Sequence, residues 1–98
     1  MNIQAMMREA QKLQKEMMKA KDEIDATEYE AESSFVKVKI NGKKEVLAIN
    51  IERESLDKDD VEMLQDMLQV ALNEAMKKVD KDTEEKMGKY TKGMPGLF

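Results

Sequence analysis

The sequence predicts one α+β domain with a long N-terminal helix, a three-stranded antiparallel meander and a long C-terminal helix. Three observations lead to this prediction. Apolar residues recur every three or four positions near both ends of the chain, they alternate with polar residues in the middle, and an Asn-Gly pair separates two of the alternating runs. We expect helices at about 2–24 and 59–87, strands at about 27–32, 34–41 and 45–53, and a tail at 88–98.

The N-terminal helix is predicted from a seam of apolar residues that no glycine or proline interrupts. The spacing alternates between three and four, which places the residues along one side of a helix. At about 1.5 Å per residue the helix would be roughly 35 Å long, which is long for so small a domain. The seam consists of Ile3, Met6, Ala10, Leu13, Met17, Ala20 and Ile24.

The strands are predicted from alternation with a period of two. Val36, Val38 and Ile40 fall on one face and Lys37 and Lys39 on the other, which is typical of a half-buried strand. A return strand and a weaker first strand repeat the pattern, and the acidic side of the first strand should face water. These runs are Leu47, Ile49 and Ile51 in the return strand, and Thr27, Tyr29 and Ala31 alternating with Glu28, Glu30 and Glu32 in the first.

The dipeptide Asn41-Gly42 lies between the second and third predicted strands. Asparagine and glycine both accept the positive φ that a type I′ turn requires at its two central positions. The sequence therefore predicts a two-residue hairpin turn here.

The C-terminal helix is predicted from renewed helical spacing, with Asp59 and Glu62 as a capping pair and Gly88 as its end. Its apolar face is wide enough to contact two surfaces, such as the sheet and a partner. The main stripe is Val61, Leu64, Leu68, Ala71, Leu72, Ala75 and Val79, and Met63, Met67 and Val70 widen it. Whether Asp80-Lys81-Asp82 continues the helix or breaks it stays open. Because the core is small and both helices offer surplus apolar surface, we expect a homodimer, with Met63, Met67 and Val70 as interface candidates.

The composition excludes several classes of function. The 98 residues include no cysteine and no histidine, which removes disulfides, the commonest metal ligands and the commonest general base. Two acidic clusters lack the glycine and glutamate of a calcium loop, and no Gly-rich phosphate loop occurs. We expect no enzyme activity, no catalytic residues, no metal, no cofactor and no small-molecule substrate. No signal peptide or membrane span is apparent, so we expect a cytoplasmic protein.

A column of basic residues on the N-terminal helix is the strongest candidate for a binding surface. Arg8, Lys12, Lys15 and Lys19 are spaced by four, three and four, so they lie within about 60° of one another. A neighbouring acidic row, Glu9, Glu16 and Glu23, supports the alternative that this face is only solvated by weak ion pairs. The net charge is −4, but local fields decide contact with phosphates.

The ten methionines also allow two interpretations. Met6, Met7, Met17 and Met18 crowd the N-terminal helix, and such flexible side chains suit adaptable contacts with a protein partner. The alternative is that they fill the core at helical spacing. A protein-interaction module that does not bind DNA is therefore the second functional hypothesis.

Several short segments, in order along nearly the whole chain, resemble one family. They are 6–14 (MMREAQKLQ), 36–42 (VKVKING), 64–75 (LQDMLQVALNEA), 85–89 (EKMGK) and the ending 93–98 (GMPGLF). Together they resemble the YbaB/EbfC family of bacterial nucleoid-associated proteins. The chain departs from that family at 29–35 (YEAESSF), where many members have a run of glycines before the middle strand.

The resemblance implies a tweezer-like homodimer whose paired helices project from a shared sheet. It also implies binding to double-stranded DNA with little or relaxed sequence preference, a nucleoid location, and roles in nucleoid organisation and gene regulation. Arg8, Lys12, Lys15 and Lys19 would meet phosphates, with Lys86, Lys89 and Lys92 as secondary candidates. The ending would be a family feature, and Leu97 and Phe98 are apolar enough to dock on the domain or its partner.

Overall fold

The computed structural model describes residues 2–91, and these form five elements in the predicted order. The three strands make one antiparallel sheet in the order β1-β2-β3, which confirms the predicted α+β class. The molecule measures 71 × 20 × 14 Å and is therefore long and thin. The elements are α1 (Ile3–Ala26), β1 (Glu28–Ser33), β2 (Val36–Asn41), β3 (Val46–Ile51) and α2 (Asp60–Thr91). Most of the predicted tail lies outside the described residues.

The core lies between one face of the sheet and α2. Burial alternates along β1, so Tyr29 and Ala31 face the core and the three glutamates of the strand face outward, as predicted. Alternation along β2 has the same cause, a side-chain period of two. The small side chains of Ala71 and Ala75 let the helix approach the sheet closely. The buried cluster is Tyr29, Ala31, Val36, Val38, Ile40, Ala71, Ala75 and Val79.

The third strand lies beyond the reach of α2. In the described part of the chain α2 crosses β1 and β2 but does not contact β3. A β-bulge pairs Ile40 with Val46, so Val46 takes the position that alternation predicts for Leu47. That prediction is wrong because the extra residue of a bulge shifts the side chains beyond it. Val46 and Ile49 remain 48% and 49% exposed, so one edge of the sheet is apolar and uncovered.

The turn between β2 and β3 is not the predicted two-residue type I′ turn. The Asn41 amide donates to the Glu45 carbonyl at 3.1 Å, and the Lys44 amide donates to the Asn41 carbonyl at 2.9 Å. The positive φ of 63° falls at Lys44, as in three-residue loops that end in a left-handed residue. The Asn41 side-chain oxygen accepts from the amides of Lys43 and Glu45 at 2.9 and 3.0 Å. These bonds stabilise the longer loop.

Gly42 is required by its neighbours and not by a positive φ. A Cβ at this position would overlap the carbonyl group of Ile24, in the last turn of α1, and would also crowd the backbone of Asp25. The obstructing atoms are backbone, so a side chain cannot rotate away to make room. The close approach therefore depends on glycine.

We predict that Gly42→Ala displaces the last turn of α1 and lowers the free energy of unfolding by about 2–3 kcal/mol, as overpacking usually does. Urea unfolding measures this change. Gly88→Ala is the matched control, because a Cβ there meets no atom of residues 2–91 within 4 Å and alanine favours a helix by up to about 1 kcal/mol. A Gly42→Ala protein as stable as its parent would contradict the close approach.

The hairpin between β1 and β2 forms without the run of glycines. Ser33 pairs with Val36, which leaves Ser34 and Phe35 as a two-residue loop. Ser34 adopts a φ of 54°, so a residue with a Cβ takes the left-handed conformation that glycine usually takes at the start of such a loop. Glycine is thus not needed for the chain to reverse at this point.

The start of α2 differs from its predicted cap. The helix begins at Asp60, whose carboxylate accepts from the Asp57 amide at 2.9 Å. The same carboxylate lies 3.4 Å from the Arg53 guanidinium. Asp59 directly precedes the helix, as predicted, but the described bond links Asp60 to Asp57, two residues earlier than the predicted pair of Glu62 and Asp59. In both cases an acidic side chain reaches three residues back.

The end of α2 also lies beyond its predicted position. Asp80-Lys81-Asp82 continues the helix, and the helix runs through Gly88 to Thr91. Glycine in a helix interior costs about 1 kcal/mol relative to alanine. The neighbouring Met87 is only 1% exposed, and burying a methionine side chain stabilises by about 1.5–3 kcal/mol. Packing therefore outweighs the propensity of glycine to end the helix.

α1 and the last part of α2 form an antiparallel pair, here called the arm (residues 3–26 and 80–91). The last turn of α1 lies against Gly42, and Lys44 of the same loop pairs with Asp80 of α2 at 2.8 Å. α1 runs toward this end of the sheet and α2 runs away from it. At the base of the arm Ile24 is 3% exposed and Met87 is 1% exposed. Residues 3–16 are exposed throughout, so the tip projects into solvent.

Candidate nucleic-acid interface

The basic column lies on the projecting part of α1. Arg8, Lys12, Lys15 and Lys19 are all exposed. At 100° per residue the column lies about 160° around the helix from the apolar seam, so packing on the seam leaves it free. Within residues 2–91 none of these four side chains forms an ion pair. Their charges are therefore available to an external anion.

The acidic row beside the column does not neutralise it. Glu9, Glu16 and Glu23 are exposed on the same helix, and the described chain shows no ion pair between them and the column. Among the ion pairs between described residues, the one that includes an α1 lysine joins Lys21 to Asp25 at 3.4 Å, near the base of the arm. The ladder of ion pairs on which the solvated-face alternative rests is thus absent from the described α1.

The outer face of the sheet has the opposite character. Lys37 lies 3.1 Å from Glu52 and 3.9 Å from Glu32. Its pKa is raised mainly by the hydrogen bond and charge of Glu52. Lys39 lies between Glu28 and Glu30, at 3.6 and 3.5 Å. Four carboxylates around two ammonium groups leave this face negative, so it repels phosphates.

Two of the secondary candidates, Lys86 and Lys89, lie in the arm on α2 and already have partners. Lys86 pairs with Asp82 at 3.0 Å. The Lys89 ammonium lies 4.9 Å from the centre of the Tyr90 ring, a distance suited to a cation–π contact. Lys92 lies outside the described residues. The structure therefore distinguishes the column on α1, which has no described ion-pair partner, from Lys86 and Lys89 on α2, which have partners within the arm.

A hydrogen-bonded group at the base of the arm was missed from the sequence. The Tyr29 hydroxyl donates to Asp82 at 2.5 Å, and Lys86 donates to the same carboxylate at 3.0 Å. Burial, reinforced by Asp82, raises the pKa of Tyr29 to about 12, and the hydroxyl lowers the pKa of Asp82. A core-facing tyrosine signals that its hydroxyl needs a partner, but the sequence does not say which residue supplies it.

The interface candidates on α2 differ in exposure. Met63 and Val70 are 41% and 50% exposed, whereas Met67 is partly buried against the core of its own chain. A further uncovered apolar surface lies on β3, where alternation assigns Leu47 and Ile49 to the core. It is the β3 patch, defined as Val46, Leu47 and Ile49, which are 48%, 48% and 49% exposed.

Other kinds of site find little support in the described residues. Residues 2–91 contain no group of three acidic side chains placed to hold a metal ion, and no described helix is long and apolar enough to cross a membrane. The depression over the outer sheet face is lined by the paired charges described above and by the Lys78 side chain, which donates to the Glu30 carbonyl at 2.5 Å.

The chain that carries this acidic sheet face and this basic column is similar to known proteins. Residues 1–94 match the model of the YbaB/EbfC DNA-binding family. The chain belongs to this family. The YbaB/EbfC match confirms the resemblance predicted from the five segments. It also confirms that this is a DNA-binding and not an enzyme family.

Curated relatives extend over almost the whole chain. A nucleoid-associated protein of Ligilactobacillus salivarius is 50% identical over 99 residues, which cover 99% of this chain and 95% of the relative. A nucleoid-associated protein of Clostridium novyi is 48% identical and covers 100% of this chain and 90% of the relative. An uncharacterized protein of Helicobacter pylori has a similar structure, with a TM-score of 0.75, 23% identity, and coverage of 92% and 97%. That likeness supports the YbaB/EbfC fold alone.

We predict that Tyr29→Phe lowers the stability at pH 7 by about 1 kcal/mol, the usual contribution of one hydrogen bond. The pKa of Asp82 is lowered from 3.8 in the folded protein, so this contribution is fully present above 3.8 and is lost below it, as the pH falls through the lowered pKa of the folded state. Urea unfolding from pH 7 to pH 3 should show the difference between parent and variant narrowing. Tyr90→Phe is the control. A difference that does not depend on pH would contradict the role of the carboxylate.

Proposed function

We propose that this protein binds double-stranded DNA as a homodimer, with relaxed sequence preference, through the basic column on α1. The observation that carries the proposal is that Arg8, Lys12, Lys15 and Lys19, on a helix that projects from the sheet, form no ion pair with any described residue. Such side chains neutralise phosphates and release counterions from the duplex. Contacts of this kind position a protein on DNA without reading its sequence. A location in the nucleoid, with roles in nucleoid organisation and gene regulation, follows from this activity.

The segregation of charge supports contact through the arm. The net charge of the protein is −4, and the outer sheet face carries much of the acid. A duplex that approached the sheet would meet Glu28, Glu30 and Glu32, whereas one that approaches the tip of the arm meets the column first. Local potential, and not net charge, decides which approach is favourable.

The uncovered edge of the sheet supports the dimer. β3 presents unpaired backbone groups and the apolar β3 patch, and an exposed edge of this kind invites pairing with another strand. A second copy of the chain would cover both at once, because a twofold interface sets the same surface of each copy against the other. Met63 and Val70 on α2 would add apolar area. Met67 would contribute less, because it is already half-buried in its own chain.

Two arms in one dimer give the expected mechanism. Each copy supplies four basic side chains, so a dimer offers up to about eight phosphate contacts, of which geometry allows about half at one time. Log affinity should then fall against log salt with a slope of roughly −3 to −7, at about −0.9 per contact. Two weak binding sites on one dimer raise its overall affinity, because binding at the first site increases the effective concentration of DNA at the second.

We predict that Lys12→Gln with Lys15→Gln weakens binding to unrelated duplexes almost equally and makes the salt slope less steep by about half. Gel-shift titrations at several salt concentrations measure both quantities. Lys43→Gln with Lys58→Gln is the matched control, since both lysines are exposed and lie outside the arm. Folding should be unaffected, because exposed helix charges contribute little to stability. Unchanged affinity and slope in the column variant would show that the column is only a solvated face.

We predict that Ile49→Asp converts the dimer into a monomer, because a carboxylate would be buried against the partner's apolar strand. Sedimentation velocity measures the change. Asn50→Asp is the control, since Asn50 is the next residue on the same strand and points to the opposite, polar face. The parent chain sedimenting as a monomer at micromolar concentration would overturn the dimer itself.

The second candidate function is a protein-interaction module without DNA binding. It is favoured by the exposure of Met6, Met7 and Met18, at 54%, 57% and 57%, because exposed methionines adapt to varied partners. The two functions differ in one measurement. An interaction module would show no binding to duplex DNA at low salt, where phosphate contacts are strongest.

A further inference from the structure

The sheet has two edge strands, β1 and β3, and the hydrogen-bond pattern shows which backbone groups of β1 face outward. Alternate residues of a central antiparallel strand bond to opposite neighbours. The Glu52 amide donates to the Phe35 carbonyl at 2.7 Å, so the odd-numbered residues of β2 bond toward β3 and the even-numbered ones toward β1. Their partners in β1 are residues 29, 31 and 33. The backbone groups that point away from the sheet are therefore those of Glu28, Glu30 and Glu32.

The edge of β1 is occupied by a side chain of α2. The Lys78 ammonium donates to the Glu30 carbonyl at 2.5 Å, which is the middle of the three outward positions. Lys78 also lines the depression over the outer sheet face, together with Glu30 and Glu32, so it crosses the edge from the helix side to the outer side. A paired strand would lie about 4.8 Å from β1. That strand would need the space and the carbonyl that Lys78 takes.

The edge of β3 is open by the same measures. α2 does not contact β3 in the described part of the chain. Among residues 2–91 the side chains that donate to backbone carbonyls are those of Thr27 and Lys78, and neither bond reaches β3. By the same alternation the outward backbone groups of β3 include those of Ile49 and Ile51.

The side chains of the two edge strands decide which strand would suit β1. Glu28, Glu30 and Glu32 point to one face of β1, so two copies of β1 side by side would set like charges opposite each other. β3 has the sequence VLAINI and carries no charge. The strand that would pair with β1 without repulsion is therefore β3 of a second copy.

Pairing of β1 with β3 would change the kind of assembly. A twofold contact of β3 with β3 closes at two copies, whereas a head-to-tail contact of β1 with β3 leaves a free edge at each end and can continue. The head-to-tail arrangement also pairs two edges of every internal chain, where the closed dimer pairs one. An accessible β1 edge would thus favour open-ended assemblies.

From these contacts we infer that Lys78 blocks the edge of β1 against β3 of a second copy and so confines strand pairing between copies to β3. The ammonium group takes the central carbonyl, and the aliphatic stem crosses the edge beside it. Lys78 is thus a determinant of how copies of this chain assemble. The inference concerns the sheet and does not depend on DNA binding.

Sedimentation velocity of Lys78→Met gives the direct test, because methionine keeps an unbranched stem and removes the donor. At about 0.1 mM we expect the weight-average mass to exceed that of the parent by about twofold or more, since each head-to-tail contact joins two parent assemblies. Lys77→Met is the matched control, because exposed Lys77 pairs with Glu74 of its own helix at 3.4 Å. The control should keep the parent's mass. A Lys78→Met protein with the parent's mass would overturn the inference.

Two further variants separate strand pairing from misfolding. Lys78→Arg keeps a donor on a long stem and should have the parent's mass. Ile49→Asp added to Lys78→Met should remove the larger species, because it places a carboxylate on the strand that β1 would accept. Larger species that persist in the double variant would show association without β3 and would contradict the inference. Each comparison is made with the parent's own mass, so it is read in the same way whether the parent is a dimer or a monomer.

Discussion

The close approach of α1 to the β2–β3 loop determines the shape of the molecule. α1 is joined to β1 through Thr27 alone, whose amide donates to the Ile24 carbonyl at 3.0 Å and whose hydroxyl donates to the Glu23 carbonyl at 2.6 Å. Because Gly42 has no side chain, the loop lies directly against the end of this helix. The Lys44–Asp80 pair then ties α2 to the same point. Four parts of the chain converge there, and the direction of the arm follows from their convergence.

Features that depend on local periodicity are predicted correctly from the sequence. The wrong predictions concern places where segments distant in the chain meet. The two helices, the strands and the α+β order follow from spacing alone. The hairpin at Asn41 was predicted with the wrong turn, because its geometry depends on the asparagine side chain and on α1. The helix end at Gly88 was predicted too early because the packing of Met87 outweighs a local preference. The exposure of β3 depends on where α2 crosses the sheet, which periodicity does not reveal.

The candidate site likewise divides into features that the sequence predicts and features that only the structure shows. The basic column needs only the spacing of residues on one helix, so it was recognised from the sequence, as was the family. Lys86 pairs with Asp82 four residues away on the same helix, but the bond from Tyr29 to that carboxylate joins residues far apart in the chain, and no local pattern predicts it. The distinction between lysines that stabilise the arm and lysines free to meet an anion therefore required the structure.

Distance along the arm resolves the apparent conflict between a negative protein and a polyanionic ligand. Arg8 lies about 24 Å along α1 from the base of the arm, and charges in physiological salt are screened beyond about 8 Å. The acidic sheet therefore contributes little to the potential at the outer half of the column. Near the base of the arm the acidic sheet contributes more to the potential, because Lys19 is only five residues from Ile24 and so lies closer to the sheet. The potential along the arm should thus become more positive toward its tip.

The two uncovered apolar surfaces call for different partners because their backbones differ. β3 has free amide and carbonyl groups at its edge, so a strand that pairs there gains backbone hydrogen bonds as well as apolar contact. The backbone of α1 is satisfied within the helix, and its seam offers side-chain packing only. Pairing of two β3 strands would set the distance between the two arms of a dimer. Covering the apolar seam of α1 at the tip of the arm would not change that distance. In the proposed dimer the number of phosphates met at once would thus depend on the sheet edge, and each individual contact would depend on the helix.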